Sequence, residues 1–425
     1  MQKQKTMWLV GLWLLCSHWM AGQQIQVLTL DDCLEKAKQN YPLIKQYALI
    51  EKTTEYSISN AQKGYLPKFG VSGQATHQSA VTQVPIAVPN MDIPTLSKDQ
   101  YKLYGELSQS ITDLFTVKKQ KENIQTNSEI EMQKVEVELY KLNERINQLF
   151  FGILLVEAQI QQTELLKKDI QTGIDKTKVA IANGVALQSA ADNLQAELLK
   201  AHQHTTELKA TRRGYADMLA LFVGEPIHEN TQLDKPKRQP IINQTINRPE
   251  LRLFDLQKKS FEVQKKLLNT KKLPQLGLFI QGGMGKPALN MLSPDLESYY
   301  IAGVRLNWNI ANFYTHKNEK RILANNQKLV DTQKDIFLFN TNLTLKQQNA
   351  DIVKMQELIE TDKNIVKLRE NVKNTTQNQL TYGTATTNDY LIAVNAEDQA
   401  KQNLILHEIQ LLMNEYNAQI TIGNK

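Results

Sequence analysis

Tyr101, Leu107, Ile111, Lys121 and Gly184 recur 199 positions later, without a gap, as Tyr300, Leu306, Ile310, Lys320 and Gly383. A second register holds upstream. Asn40, Pro42 and Pro67 match Asn247, Pro249 and Pro274 at an offset of 207. Two ungapped registers differing by eight residues describe one unit used twice, with a loop of variable length between Pro67 and Tyr101. Any fold for this chain must be built from two copies of that unit.

Each copy carries a hairpin. In the first, Phe69, Val71, Gly73 and Ala75 alternate with polar or small neighbours. On the return, Tyr101, Leu103, Leu107 and Ile111 fall on one parity, and Lys102, Tyr104, Glu106, Ser108 and Ser110 on the other. A period of two with one apolar and one wet face predicts strands at about 66–76 and 100–111. The second copy predicts strands at about 275–284 and 299–310. Tyr300, Ala302, Val304, Leu306, Trp308 and Ile310 form its apolar face, opposite Arg305, Asn307 and Asn309. The loops between strands hold Val84–Pro94 in one copy and Gly282–Pro294 in the other.

The rest reads as helix. Thr29 or Asp31 caps a short helix to about Gln39, and Pro42 and Pro249 sit near the first turn of the helices leading to each hairpin. After the first hairpin a helix is predicted from about Leu114 to Ala182, on the order of 100 Å long. Leu139, Leu142, Ile146, Leu149, Ile153, Val156 and Ile160 keep the 3,4 spacing of a coiled-coil seam along it. The chain returns past Gly184 with Leu187, Leu194, Ala201, Leu208, Tyr215 and Phe222 every seventh residue. The second long helix, about Tyr314 to Leu380, carries two seams: Ile322, Leu329, Ile336 and Leu343, and Leu338, Leu345, Ile352, Ile359 and Val366. Ile336 and Leu338 lie about 200° apart on a helical wheel, which suits a stave with a neighbour on each side. A plain antiparallel coiled coil needs one seam.

The predicted organisation is therefore a signal peptide at 1–22, a first repeat at 23–224, a connector at 225–247 and a second repeat at 248–425. The helical hairpins cover about 114–223 and 314–420. Lys3 and Lys5 precede the short apolar run Met7–Leu15, and Ala21-Gly22 offers a cleavage site. Cys16 follows the bulky Leu15, so an apolar signal residue is preferred to a lipidation site. After cleavage Cys33 is the one cysteine left and cannot form an intramolecular disulfide. Loss of Lys3 and Lys5 takes the formal charge from +6 to +4, too weak and dispersed for a nucleic-acid partner.

No segment after the signal is long and apolar enough for a membrane-spanning helix. Two amphipathic hairpins cannot bury their apolar faces in a soluble fold with no other strand-rich region, so the strands read as part of a membrane β-barrel. Four strands cannot close one, and an open edge in lipid leaves backbone groups unsatisfied. The barrel must be shared between chains.

At this level the chain resembles the outer-membrane efflux protein family, the TolC-like channels. The resemblance covers essentially all of the mature chain. It rests on the twofold repeat, on the turn segments Ala182–Leu187 and Thr381–Asp389, and on the strand-to-helix joins Ser110–Phe115 and Asn309–Tyr314. It implies a mainly α fold with a membrane β-barrel contribution: a homotrimer with a 12-stranded barrel and a periplasmic α-helical barrel. It implies an outer-membrane exit duct of a tripartite efflux or secretion system, working with a periplasmic adaptor protein, an inner-membrane transporter and outer-membrane lipid. The tip turns Asn183, Gly184, Val185, Tyr382, Gly383 and Thr384 would contact the adaptor. Asp389 would line the pore constriction, where three copies around one axis would favour cations and hold protons more readily. The competing role for Asp389 is a favourable charge at a helix N-terminus. The chain departs from the family where a basic residue is replaced by Ala385 and a second acidic one by Ile392, and the first-repeat equivalent of Asp389 is Ala190.

Enzyme chemistry is not expected. His202 and His204 point to different helix faces and cannot share a metal. Gly282-Gly283-Met284-Gly285 has no helix after it to form a nucleotide site. No cofactor is expected. The alternative function is a structural periplasmic coiled-coil or adaptor protein, which would lack the paired amphipathic hairpins.

Overall fold

The computed structural model describes residues 27–83, 95–240 and 245–424. The predicted signal, the proline-rich stretch 84–94 and part of the connector lie outside these residues. The chain forms two compact units. One takes the residues up to Ile44, Glu138–Arg248 and the residues from Phe339. The other takes Lys45–Val137 and Pro249–Leu338. These units do not coincide with the two sequence repeats, because each draws on both.

In chain order the elements are β1 (Val27–Leu28), α1 (Leu30–Asn40), α2 (Lys45–Gln62), β2 (Lys68–His77), β3 (Asp99–Ser110), α3 (Asp113–Tyr140), α4 (Leu142–Ala182) and α5 (Gln188–Val223). There follow β4 (Gln232–Leu233), α6 (Pro249–Thr270), β5 (Gln275–Lys286), β6 (Glu297–Asn307), α7 (Asn312–Thr381) and α8 (Thr387–Ile422). Single 3-10 turns at Pro42–Ile44 and Lys63–Tyr65 flank α2.

Five differences from the sequence reading stand out. The run Gly282-Gly283-Met284-Gly285, expected in the loop, lies within β5 and pairs with Lys102–Gly105 of β3. The helix expected over 114–182 is interrupted at Lys141, although Lys141 keeps right-handed helical angles (φ −63°, ψ −20°). Beside the interruption Tyr140 donates its hydroxyl to the Ile420 carbonyl at 2.7 Å. The last strand stops at Asn307, short of Trp308 and Ile310, where the indole N–H of Trp308 turns to the Lys272 carbonyl at 3.0 Å. Leu187 is exposed and precedes α5 as its N-cap, so the buried seam of that helix starts at Leu194. Finally, β1 and β4 make a two-residue parallel pairing that has no periodic signal.

In the unit that contains α4, α5 and α8, the core follows the seams. Ile146, Ile153 and Val156 of α4 are buried, with Leu194, Ala201 and Leu208 of α5. Both returning helices end on a left-handed glycine, Gly224 (φ 82°) and Gly423 (φ 90°), which are repeat-equivalent. Asn40 donates its side-chain amide to the Leu221 and Phe222 carbonyls at the first of these ends, and the Asn247 N–H meets the Ile422 carbonyl at the second. Orphan carbonyls at a helix C-terminus need such donors, which the Asn40 side chain supplies at one end and the Asn247 backbone at the other.

In the other unit the four long strands form one antiparallel sheet in the order β2-β3-β5-β6. The register puts Phe69 opposite Leu107, Leu107 opposite Ile280, Ile280 opposite Ala302 and Leu278 opposite Val304. Helices of the unit are tied by ion pairs such as Lys258–Asp331 at 2.7 Å and Lys259–Glu129 at 2.8 Å.

Candidate functional site

Two features are candidates: the sheet and the turns between long helices. The sheet sorts its side chains by parity. Phe69, Val71, Tyr101, Leu103, Leu107, Leu276, Leu278, Ile280, Met284, Tyr300, Val304 and Leu306 share one face, and all are exposed. A contiguous apolar face on water is rare in a soluble protein and marks a surface made for another apolar medium. The opposite face carries Ser72, Gln74, Lys102, Tyr104, Glu106, Ser108, Gln281 and Arg305. Among the described residues β2 and β6 each have one strand neighbour, so the sheet has two open edges.

The turns are built alike. α4 ends with Asn183 as C-cap, Gly184 at φ 71° and Val185, whose N–H reaches back to the Ala180 carbonyl at 2.9 Å. α7 ends with Tyr382, Gly383 at φ 72° and Thr384, whose N–H reaches the Gln379 carbonyl at 2.9 Å. With the Gly184–Ile181 and Gly383–Leu380 bonds these are Schellman motifs, which place glycine where a side chain would be strained. A Cβ on either glycine would meet nothing within 4 Å. Val185 and Tyr382 are also exposed, Tyr382 by 83%.

The two turns then diverge. Thr386 caps α8, and its hydroxyl accepts from the Asp389 N–H at 3.2 Å while the Asp389 carboxylate accepts from the Thr386 N–H at 2.9 Å and hydroxyl at 2.7 Å. This reciprocal capping box satisfies two orphan donors. The Thr386 hydroxyl and N–H hold the Asp389 carboxyl below the usual carboxylate range. Within one chain Asp389 is thus a helix-capping group, and its tendency to hold a proton is lowered, opposite to the expectation from a crowded ring. In the first repeat Leu187 and Ala190 occupy these positions and α5 starts with no side-chain cap. Ala385 is half-buried and Ile392 exposed.

Next to Asp389, Tyr390 is 1% exposed and packs among Ile170, Ile174, Leu194, Leu198 and Val394. Gly173 of α4 makes the room, since a Cβ there would lie 2.6 Å from the Tyr390 ring. The Tyr390 hydroxyl donates to the Asp169 carbonyl at 2.9 Å. A charged node lies in the same unit. Lys373 of α7 pairs with Asp169 of α4 at 2.9 Å and Glu397 of α8 at 3.0 Å, and Lys401 pairs with Glu397 at 2.7 Å and Glu370 at 2.9 Å. Burial opposes the Lys373 charge, but hydrogen bonds to Asp169 and Glu397 outweigh it and raise its pKa. Sequence reasoning missed both the notch and the node. Their components come from three helices, and the Glu397–Lys401 spacing of four was the one local signal.

No helix among the described residues is long and apolar enough to cross a membrane, and no group of three His, Cys, Asp or Glu residues there is placed to hold a metal. Cys33 is fully buried, which pushes its thiol up to about 12.

No family model and no curated protein matches the chain. Solved structures do. The outer membrane protein VceC of Vibrio cholerae is 12% identical with a TM-score of 0.65, over 93% of this chain and 96% of that one. The CmeC outer membrane channel of Campylobacter jejuni gives 12% and 0.65, over 93% and 85%. The open state of the Neisseria gonorrhoeae MtrE outer membrane channel gives 12% and 0.65, over 93% and 88%. The chain has the fold of these outer-membrane channels.

Proposed function

We propose that this protein is an outer-membrane exit duct of a tripartite efflux or secretion system. The observation that carries the reading is the four-stranded sheet, with one face predominantly apolar and exposed, in a chain with the fold of outer-membrane channels. Lipid would cover that face, and the polar face would line a water-filled lumen. The strands run up, down, up and down, so β6 of one copy continues antiparallel into β2 of the next, and a ring of copies removes both edges. Two copies would give eight strands, whose interior is filled by side chains. The charged and polar inner face needs water, which favours three copies and twelve strands.

The long helices would form the periplasmic part, and the turns around Gly184 and Gly383 would meet the hairpins of an adaptor linked to an inner-membrane transporter. Their exposed Val185 and Tyr382 and their unobstructed glycines support that role. Asp389 would stand at the pore constriction as one acid per chain. A structural periplasmic coiled coil has no use for an amphipathic four-stranded sheet, and that feature counts against it. The test is fractionation followed by planar-bilayer recording. Extraction of the mature chain only with detergent, and discrete conductance steps from the purified protein, are expected. A chain that stays soluble in the periplasm without detergent overturns the reading.

A further inference from the structure

On the polar face of the sheet one cluster stands apart. Glu106 on β3 and Arg305 on β6 are repeat-equivalent positions, 199 residues apart, with opposite charges. They are not on neighbouring strands. Arg305 reaches across β5 and grips the Glu106 carboxylate with both guanidinium arms, Nη1 to Oε1 at 2.9 Å and Nη2 to Oε2 at 3.3 Å. The guanidinium lies over the Phe279 ring, 4.4 Å from its centroid. The Gln281 side-chain amide donates to the same carboxylate. Gly303, the cross-strand partner of Phe279, leaves room for that ring. A Cβ on Gly303 would stand 3.1 Å from the Phe279 ring.

Two-point arginine pairing fixes geometry as well as charge, and stacking on an aromatic face holds the fork flat against the strands. The two opposite charges are thereby kept as one neutral pair along the wall. A free Glu106 or a free Arg305 would project a field of one sign into the space above the sheet, and rings of like charge select ions.

We propose that the Glu106–Arg305 clasp determines the ion preference of the barrel lumen, by holding both charges neutralised against the wall. This rests on the reading that the polar face lines a conduit. Lys68 and Lys102 share that face and are unchanged in every comparison below.

The experiment is reversal-potential measurement on the purified full-length mature protein in planar bilayers, under a potassium chloride gradient at low ionic strength, where the Debye length reaches about 30 Å. Arg305→Gln leaves the carboxylates unpaired and is expected to raise the potassium-to-chloride permeability ratio at least about twofold. Glu106→Gln is expected to lower it by a similar factor, and the double substitution to return it to the wild-type value. The charge-reversed pair, Glu106→Arg with Arg305→Glu, is expected to match wild type as well. Single variants that conduct with the wild-type ratio, or that both shift the same way, overturn the proposal while leaving the conduit reading intact. Singles that fail to insert while the reversed pair inserts make the clasp a folding element and also overturn it. Absence of any conductance from the wild-type protein overturns the conduit reading itself.

Discussion

Asp389 concentrates two opposed forces in one carboxylate. Its bonds to Thr386 stabilise the charged form and lower its pKa below the ordinary value of 3.8. A folded-state pKa below the unfolded one means that the capping contribution is present above about pH 3.8 and is lost as pH falls through the lowered folded value. Three such carboxylates crowded on one axis would act the other way, because each charge disfavours the next. Titration of block by multivalent cations in the assembled channel separates the two. Protonation well below pH 3.8 identifies a capping group with little mutual repulsion, and protonation clearly above it identifies a ring. Substitution by Asn is expected to weaken block only in the second case. Gly173 offers a second test at this scale. Its replacement by Ala puts a Cβ 2.6 Å from the Tyr390 ring, which is buried among Ile170, Ile174, Leu194, Leu198 and Val394. Overpacking of this kind costs about 1–3 kcal/mol. A lowered thermal midpoint in detergent, and faster protease cleavage around residues 382–390, are expected. An unchanged midpoint and cleavage rate would show that the notch closes without strain.

The long helices and their turns carry the next level. The turn glycines sit at φ 71° and 72° with empty space around them, so a larger residue there meets backbone strain but no clash. Gly184→Val and Gly383→Val are each expected to cost roughly 1–2 kcal/mol locally, leaving membrane insertion and assembly intact while impairing adaptor docking and export. Export assays beside native electrophoresis read the two consequences separately. Normal export in both variants would remove these glycines from the docking surface, and loss of assembly would make them simple folding turns. Elements of this kind were legible in the sequence because their causes are local. Alternation exposes a strand, a 3,4 spacing a seam, and an uncapped glycine a turn. The interruption at Lys141 was not legible, since Leu139, Leu142 and Ile146 keep their spacing straight through it. The Tyr390 notch and the Lys373–Glu397 node were hidden for a different reason: each joins side chains from separate helices, and no periodicity within one helix reports them. The seam of Ile322, Leu329, Ile336 and Leu343 was visible as a pattern, yet these side chains are exposed in the single chain.

That exposed seam and the two open sheet edges make the same demand on the whole molecule. An isolated chain would leave unpaired backbone groups along β2 and β6 in lipid, at a cost of several kcal/mol for each buried group. It would also leave a row of isoleucine and leucine on water. One operation, rotation of identical copies about a common axis, satisfies both, because a heterologous contact repeated around a ring leaves no free edge. The proposal of three copies rests on the lining. Eight strands leave an interior that side chains must fill, whereas the inner face here holds Lys102, Glu106, Gln281 and Arg305, which need hydration. Twelve strands give that space. Native mass spectrometry in detergent is therefore expected to show three chains as the smallest stable species. Dissociation, where it is forced, should coincide with loss of sheet structure, since the strands have no closed arrangement in a lone chain. A stable monomer that keeps its sheet would mean that the edges are covered from within the chain, and a stable dimer would require the charged inner face to pack without water. The first result would remove the basis for a shared barrel, and the second the basis for three copies.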